Sequence, residues 1–162
     1  MTIEERTWRL ESIEAIRQLK ARYFNSIDTR DLERLRTCFA SSGVVLDLEP
    51  MGRVFRDPAE MIAVIDRFSF LIEFHHGQNA EIELTGPASA KGFWGLYYFW
   101  MDPRERSARQ VAGHYRDTYV AEDGVWKIQT SHFHAFSHAL WHADPEGVYR
   151  MAEMADHFSF PV

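Results

Sequence analysis

The chain has 162 residues, 46% of them hydrophobic and 26% charged, which is the size and composition of one globular domain. A net charge of −6 without a cluster of Lys and Arg argues against nucleic-acid binding, and a single cysteine excludes an internal disulfide and any Cys-only zinc site. The stretches free of Asp, Glu, Lys and Arg are shorter than the roughly 20 residues a membrane span needs, and no secretory leader is evident, so the cytoplasm is the expected compartment.

Residues 2–28 read as a long helix, with Ile13, Ile16, Leu19, Tyr23, Phe24 and Ile27 at helical spacing. Thr29, Arg30 and Asp31 break it, and a short helix follows with Leu32, Leu35 and Phe39 on one side. Cys38, at core spacing there, reads as an inert buried thiol. Residues 43–49 and 53–55 read as two short strands around the turn signal Pro50-Met51-Gly52. A third helix starts at Asp57 as N-cap, with Pro58 at its first position and Glu60 placed to complete a capping box.

From Phe74 the period changes to that of strands. Four β segments are expected, at 76–84, 88–100, 109–121 and 125–137, the last two joined by the Glu122-Asp123-Gly124 hairpin signal. Helices in the first half and strands in the second give an α+β arrangement with a mostly antiparallel sheet. Residues 1–162 form a single domain, with 139–162 as a C-terminal extension in which Asp144-Pro145-Glu146 is placed to cap one more short helix.

Three patterns converge: Tyr23-Phe24 with Asp28, Asp31, Leu32 and Leu35; His75-His76-Gly77-Gln78-Asn79-Ala80-Glu81-Ile82; and Gly113-His114-Tyr115-Arg116-Asp117 followed by Glu122-Asp123-Gly124-Val125-Trp126-Lys127-Ile128. Together they resemble the SnoaL-like branch of the nuclear-transport-factor-2-like superfamily, over about residues 13–130. The resemblance implies a curved sheet forming a cone, closed by three helices around one deep pocket. Members include scytalone dehydratase, bile-acid 7-alpha-dehydratase and hexachlorocyclohexane dehydrochlorinase, cofactor-free lyases. Ketosteroid isomerase, polyketide cyclases and non-catalytic binding domains share the fold, so fold alone does not assign function.

By this resemblance Asp28 stands at the eliminating enzymes' aspartate and His75 at their catalytic histidine, and Tyr23 matches a tyrosine of the same helix position. The resemblance also marks a departure: Tyr98 and Trp100 occupy positions where members have an aspartate and a second histidine. The chemistry that follows is proton abstraction from carbon by His75, oriented by Asp28, with Tyr23 and Tyr98 as hydrogen-bond donors. Taken singly, Asp28 equally suits a turn and His75 a half-buried histidine, while Tyr23, on the apolar face of its helix, suits a core aromatic better than a catalytic role.

Strand alternation puts Trp94, Leu96, Tyr98 and Trp100 on one face and Phe93, Tyr97, Phe99 and Met101 on the other. The first face is expected to wall the pocket, joined by Tyr115 from the next strand and by His132. His132 and His134 share a strand face, and His138 and His142 would share a face of a helix. No zinc-protease motif accompanies them, and no metal or other cofactor is expected. The expectation is thus a cofactor-independent, dehydratase-type lyase acting on a hydrophobic ring-bearing small molecule. The alternatives are an isomerase or cyclase using the same dyad, and a non-catalytic binding or assembly domain. By resemblance a homotrimer is expected, with a dimer close behind.

Overall fold

The structure is a computed structural model, and it describes residues 1–49 and 52–155. Helix α1 (Ile3–Asp28) opens on a capping box in which the Thr2 hydroxyl and the Glu5 carboxylate each accept the other's backbone N–H. It ends where Arg30 takes a left-handed φ of 59°. Asp31 caps the one-turn helix α2 (Leu32–Arg36) through the N–H of Arg34. Strands β1 (Val45–Leu48) and β2 (Arg53–Phe55) form a small antiparallel pair. Pro50 and Met51 of the expected turn lie outside the described residues.

Helix α3 (Pro58–Arg67) starts at Asp57 as anticipated, with its carboxylate accepting the N–H of Ala59. The expected capping box is not made there. The Glu60 carboxylate turns to Arg53 instead, at 2.8 Å, because an ionic partner is in reach.

Four long strands follow: β3 (Ile72–Gly86), β4 (Ser89–Asp102), β5 (Ser107–Glu122) and β6 (Val125–Ala143). With β1, β2 and the final strand β7 (Tyr149–Ala155) they make one seven-stranded sheet. Its order is β2-β1-β6-β5-β4-β3, with β7 also on β6. All pairings are antiparallel except β1 with β6. The sheet is curved, α1 and α3 close its concave side, and the fold is an α+β cone.

The helix expected after Asp144 is not formed, and β7 takes its place. Asp144 accepts the N–H of Val148, and Gly147 supplies φ +85°, so the segment is a turn that sends the chain back along β6. The expected strand endings also fall short. Strand β6 runs six residues past Ser137, to Ala143, and β3 begins at Ile72 rather than at His76.

Three bulges decide which side chains of β3 and β6 face inward. In β3 the register slips between Gln78 and Glu81, where Asn79 sits at φ 54°. In β6, Gln129 is an extra residue between Ile128 (opposite Tyr119) and Thr130 (opposite Thr118), and Phe136 is another between Ala135 (opposite Gly113) and Ser137 (opposite Ala112). A single inserted residue reverses the period-2 alternation. Trp126 and Ile128 point inward before Gln129, Ser131, Phe133 and Ala135 between the two inserted residues, and His138 and Leu140 after Phe136.

Candidate active site

The site is built on a ladder of side chains along α1. Lys20, Phe24 and Asp28 are four residues apart and therefore stacked on one helix face, which packs against the sheet. Asp28, at the last turn, reaches across to β3. Its Oδ2 accepts the backbone N–H of His75 at 3.0 Å, and its Oδ1 lies 2.5 Å from Nδ1 of the His75 ring. Both side chains are nearly buried, at 11% and 8% exposure. A carboxylate at Nδ1 fixes the proton there and leaves Nε2 with its lone pair, the arrangement a general base requires.

The ring is clamped as well as oriented. Phe24 stacks on it with centroids 5.5 Å apart and planes 16° from parallel, and Tyr98 lies against it at 4.2 Å and 26°. Gly77 is what lets Phe24 approach: a Cβ there would collide with the phenyl ring. The His-x-Gly-x-Asn stretch is thus legible in physical terms. His75 supplies the imidazole, Gly77 makes room for the aromatic beneath it, and Asn79 tolerates the left-handed turn of the bulge.

His75 faces a cavity of about 300 Å³ enclosed by α1, α3 and the concave faces of β3 to β6. Its walls are mostly apolar, including Ile27, Met61, Ile65, Phe68, Leu71, Leu96, Trp100, Val111, Phe133 and Leu140. Tyr23, Glu73, Tyr98 and Tyr115 also line it, and Asp102, Glu105, Ser107, Arg109 and His142 lie on the lining from the β4–β5 turn to the end of β6. This is the size and character of a small-molecule site, an apolar cleft with a few convergent polar groups.

Of the residues singled out from sequence, Tyr23, His75, Tyr98, Trp100 and Tyr115 line this cavity, and Asp28 stands behind His75. Two others are elsewhere. Trp94 is buried below the cavity lining, donating from Nε1 to the Tyr119 hydroxyl at 2.9 Å. His132 follows the extra residue Gln129 of β6 and points to the outer face, where its Nδ1 is 3.0 Å from Asp47. His134 pairs there with Glu49. His138 and His142 lie on the strand rather than on a helix; His138 is buried 3.6 Å from Glu153 of β7, and His142 lines the cavity. Among the described residues no group of three or more His, Cys, Asp or Glu is placed to hold a metal ion.

The sequence reading missed Glu73 and Arg30. Glu73 sits two residues before His75 on the same face of β3, a position hidden by starting that strand at residue 76. Its carboxylate, 7% exposed, holds Arg30 through Oε1 and accepts the Tyr98 hydroxyl through Oε2. Arg30 in turn donates to the carbonyls of Ile27, Phe68 and Leu71. The residue read as a helix breaker therefore ties the end of α1 to the segment leading into β3.

The phenols are held protonated. Burial, then the charge of Glu73 and its hydrogen bond, push Tyr98 well above the ordinary tyrosine value. Burial, then the neighbouring Tyr23 and Asp117, do the same for Tyr115, and burial followed by Asp117 raises Tyr23, which shares a hydrogen bond with Tyr115. Beneath this pair lies a second buried ion pair, also missed. Lys20 Nζ is 2.8 Å from Asp117, with both side chains fully buried, and it lies over the Tyr115 ring at 3.6 Å. Asp117 also accepts from the hydroxyls of Tyr119 and Ser131, each at 2.7 Å. A lysine inside an apolar helical stripe was the available signal for it.

Comparison with known proteins agrees with this architecture. A hexachlorocyclohexane dehydrochlorinase of Novosphingobium barchaimii superposes with a TM-score of 0.71 at 18% identity, covering 96% of this chain and 99% of that one. A scytalone-dehydratase-like protein of Novosphingobium aromaticivorans gives 0.74 at 16% identity, covering 96% and 97%. A Mycobacterium tuberculosis protein of unknown function gives 0.69 at 20% identity over 83% and 76%. At these identities the likeness shows the shared fold. The model of the SnoaL-like domain matches residues 8–132, most of the sequence, and the chain belongs to that family.

Proposed function

We propose that the protein is a cofactor-independent lyase that eliminates water or an acid across a carbon–carbon bond of a hydrophobic, ring-bearing small molecule. The observation that carries this reading is the Asp28–His75 pair, with its 2.5 Å contact at Nδ1, on the wall of an apolar cavity. In the reaction Nε2 of His75 takes a proton from carbon, and the C–H electron pair forms the double bond. The leaving group departs with its own electron pair from the neighbouring carbon. Asp28 stabilises the imidazolium that forms. The proton then leaves with the departing group or passes to water, restoring the base. The apolar walls and Trp100 suit a ring, and two of the structural neighbours are named as a dehydrochlorinase and a dehydratase-like protein.

The test is turnover of hexachlorocyclohexane and of scytalone, followed by mass spectrometry for loss of hydrogen chloride or water. Elimination by the native protein, abolished in His75→Ala and Asp28→Asn, supports the reading. Full turnover in both variants overturns it. The outer face exposes Ile72, Phe74, Tyr97 and Phe136, and this reading includes self-association through such apolar surface, which sedimentation would test.

A further inference from the structure

Beside the candidate base lies a corner of the cavity whose polar atoms are all acceptors. Both oxygens of Glu73 are engaged, one by Arg30 and one by the Tyr98 hydroxyl. Arg30 is itself fixed on three backbone carbonyls, so the carboxylate is held in place. A phenol has one proton, and that of Tyr98 is given to Glu73. What Tyr98 has left to offer a ligand is a lone pair on Oη, next to the remaining lone pairs of Glu73. The Tyr98 ring also lies against His75, so this corner adjoins the atom that takes the proton.

We propose that Tyr98, with its proton held by the Glu73–Arg30 pair, is the specificity-determining residue of the cavity and selects a ring substrate bearing a hydroxyl group. A hydroxyl donates into this corner and satisfies Oη. A chlorine, a carbonyl or a carboxylate has no proton to give and meets only electron-rich oxygens. The leaving group would then be water rather than halide, or the hydroxyl would sit beside the reacting carbon. The proposal rests on the reading of the cavity as the substrate site, and it narrows the substrate class of that reading.

The test uses two matched probes, 2-naphthol and 2-chloronaphthalene, binding to the intact protein at neutral pH by calorimetry. The native protein should bind 2-naphthol about tenfold or more tightly than the chloro compound, since a buried polar group left unpaired costs about that factor. Tyr98→Phe should bring the two affinities to within about twofold, chiefly by weakening 2-naphthol. Glu73→Gln should also reduce the preference with Tyr98 still present. Its amide group can donate to Oη and leaves the phenol proton to point at the ligand, so the corner no longer demands a donor, and a purely space-filling role for Tyr98 would not respond to that change. A native ratio near one, retention of the preference in both variants, or binding of neither probe overturns the proposal. His75→Ala and Asp28→Asn should keep the preference, so failure of the elimination chemistry and failure of hydroxyl selection are distinguishable.

Discussion

Helix α1 makes two buried polar pairs with the sheet, one an ion pair and one a carboxylate on an imidazole, and they contrast in what surrounds them. Lys20 meets Asp117 in full burial, with Tyr119 and Ser131 donating to the same carboxylate and aromatic rings over the ammonium. Asp28 meets His75 two helical turns further on, and there the partner ring keeps one edge toward a cavity. The first pair is sealed, so it can only stabilise or specify the fold. The second is satisfied on one side and open on the other, which is what a reactive group needs. Buried charge alone does not mark a candidate site; a buried carboxylate whose partner keeps one free nitrogen toward a cavity does.

The largest effect that would sharpen this contrast is on turnover. His75→Ala and Asp28→Asn should each lower kcat by about a hundredfold to ten-thousandfold once a substrate is identified. In the second variant the Asn amide can donate toward Nδ1 and drive the ring proton to Nε2, so the base is lost without loss of the imidazole. Thermal unfolding should change far less than activity in both.

The opposite balance is expected at the sealed end. Lys20→Met leaves the Asp117 carboxylate buried without its cation and should cost about 3–5 kcal/mol in denaturant unfolding. Adding Asp117→Asn should recover part of that loss. Turnover per folded molecule should fall less than tenfold; a folded Lys20→Met protein as inactive as His75→Ala would break the distinction.

Alkaline pH offers a further probe. Tyr23, Tyr98, Tyr115 and Tyr119 are all raised above the unfolded value of 10.0, first of all by burial. The folded state therefore holds protons that the unfolded chain releases. Their contribution is intact below about pH 10 and is lost as pH rises toward the folded values. Each phenol should remove roughly 1.4 kcal/mol per pH unit in that range. Lys20 works in the opposite sense up to its unfolded value of 10.5, because burial lowers it in the fold. Spectrophotometric titration should show these four phenols ionising together with loss of structure.

A smaller effect is expected at Gly77. A methyl group there meets Phe24, and Phe24 stacks on His75, so Gly77→Ala should destabilise by about 1–3 kcal/mol. It should also lower kcat more than KM changes, because the base is displaced rather than the cavity closed.

Much of this was legible in the sequence. The helical spacing of Ile16, Leu19, Tyr23 and Ile27, the Asp57-Pro58 start and the Asp123-Gly124 hairpin each rest on local chemistry, and each appears where local chemistry puts it. The cone and the closeness of Asp28 to His75, 47 residues apart, followed from resemblance, since no local rule joins them. What escaped depends on register. The inserted Gln129 turned His132 outward, and alternation counted from the strand's start could not reveal it. Glu73 was hidden by a strand boundary placed four residues late. Asp117 sits in a recognised pattern, yet its lysine partner lies on another element and only the packing of α1 on the sheet shows why both are there.

The central claim is that Asp28 holds the neutral His75 ring with its proton on Nδ1 and Nε2 bare toward the cavity. Long-range nitrogen–proton correlation spectra of protein labelled at its histidines report this directly and need no substrate. The account predicts an Nδ1-protonated neutral ring for His75 that reverts in Asp28→Asn; a neutral ring carrying its proton on Nε2 in the native protein would contradict it.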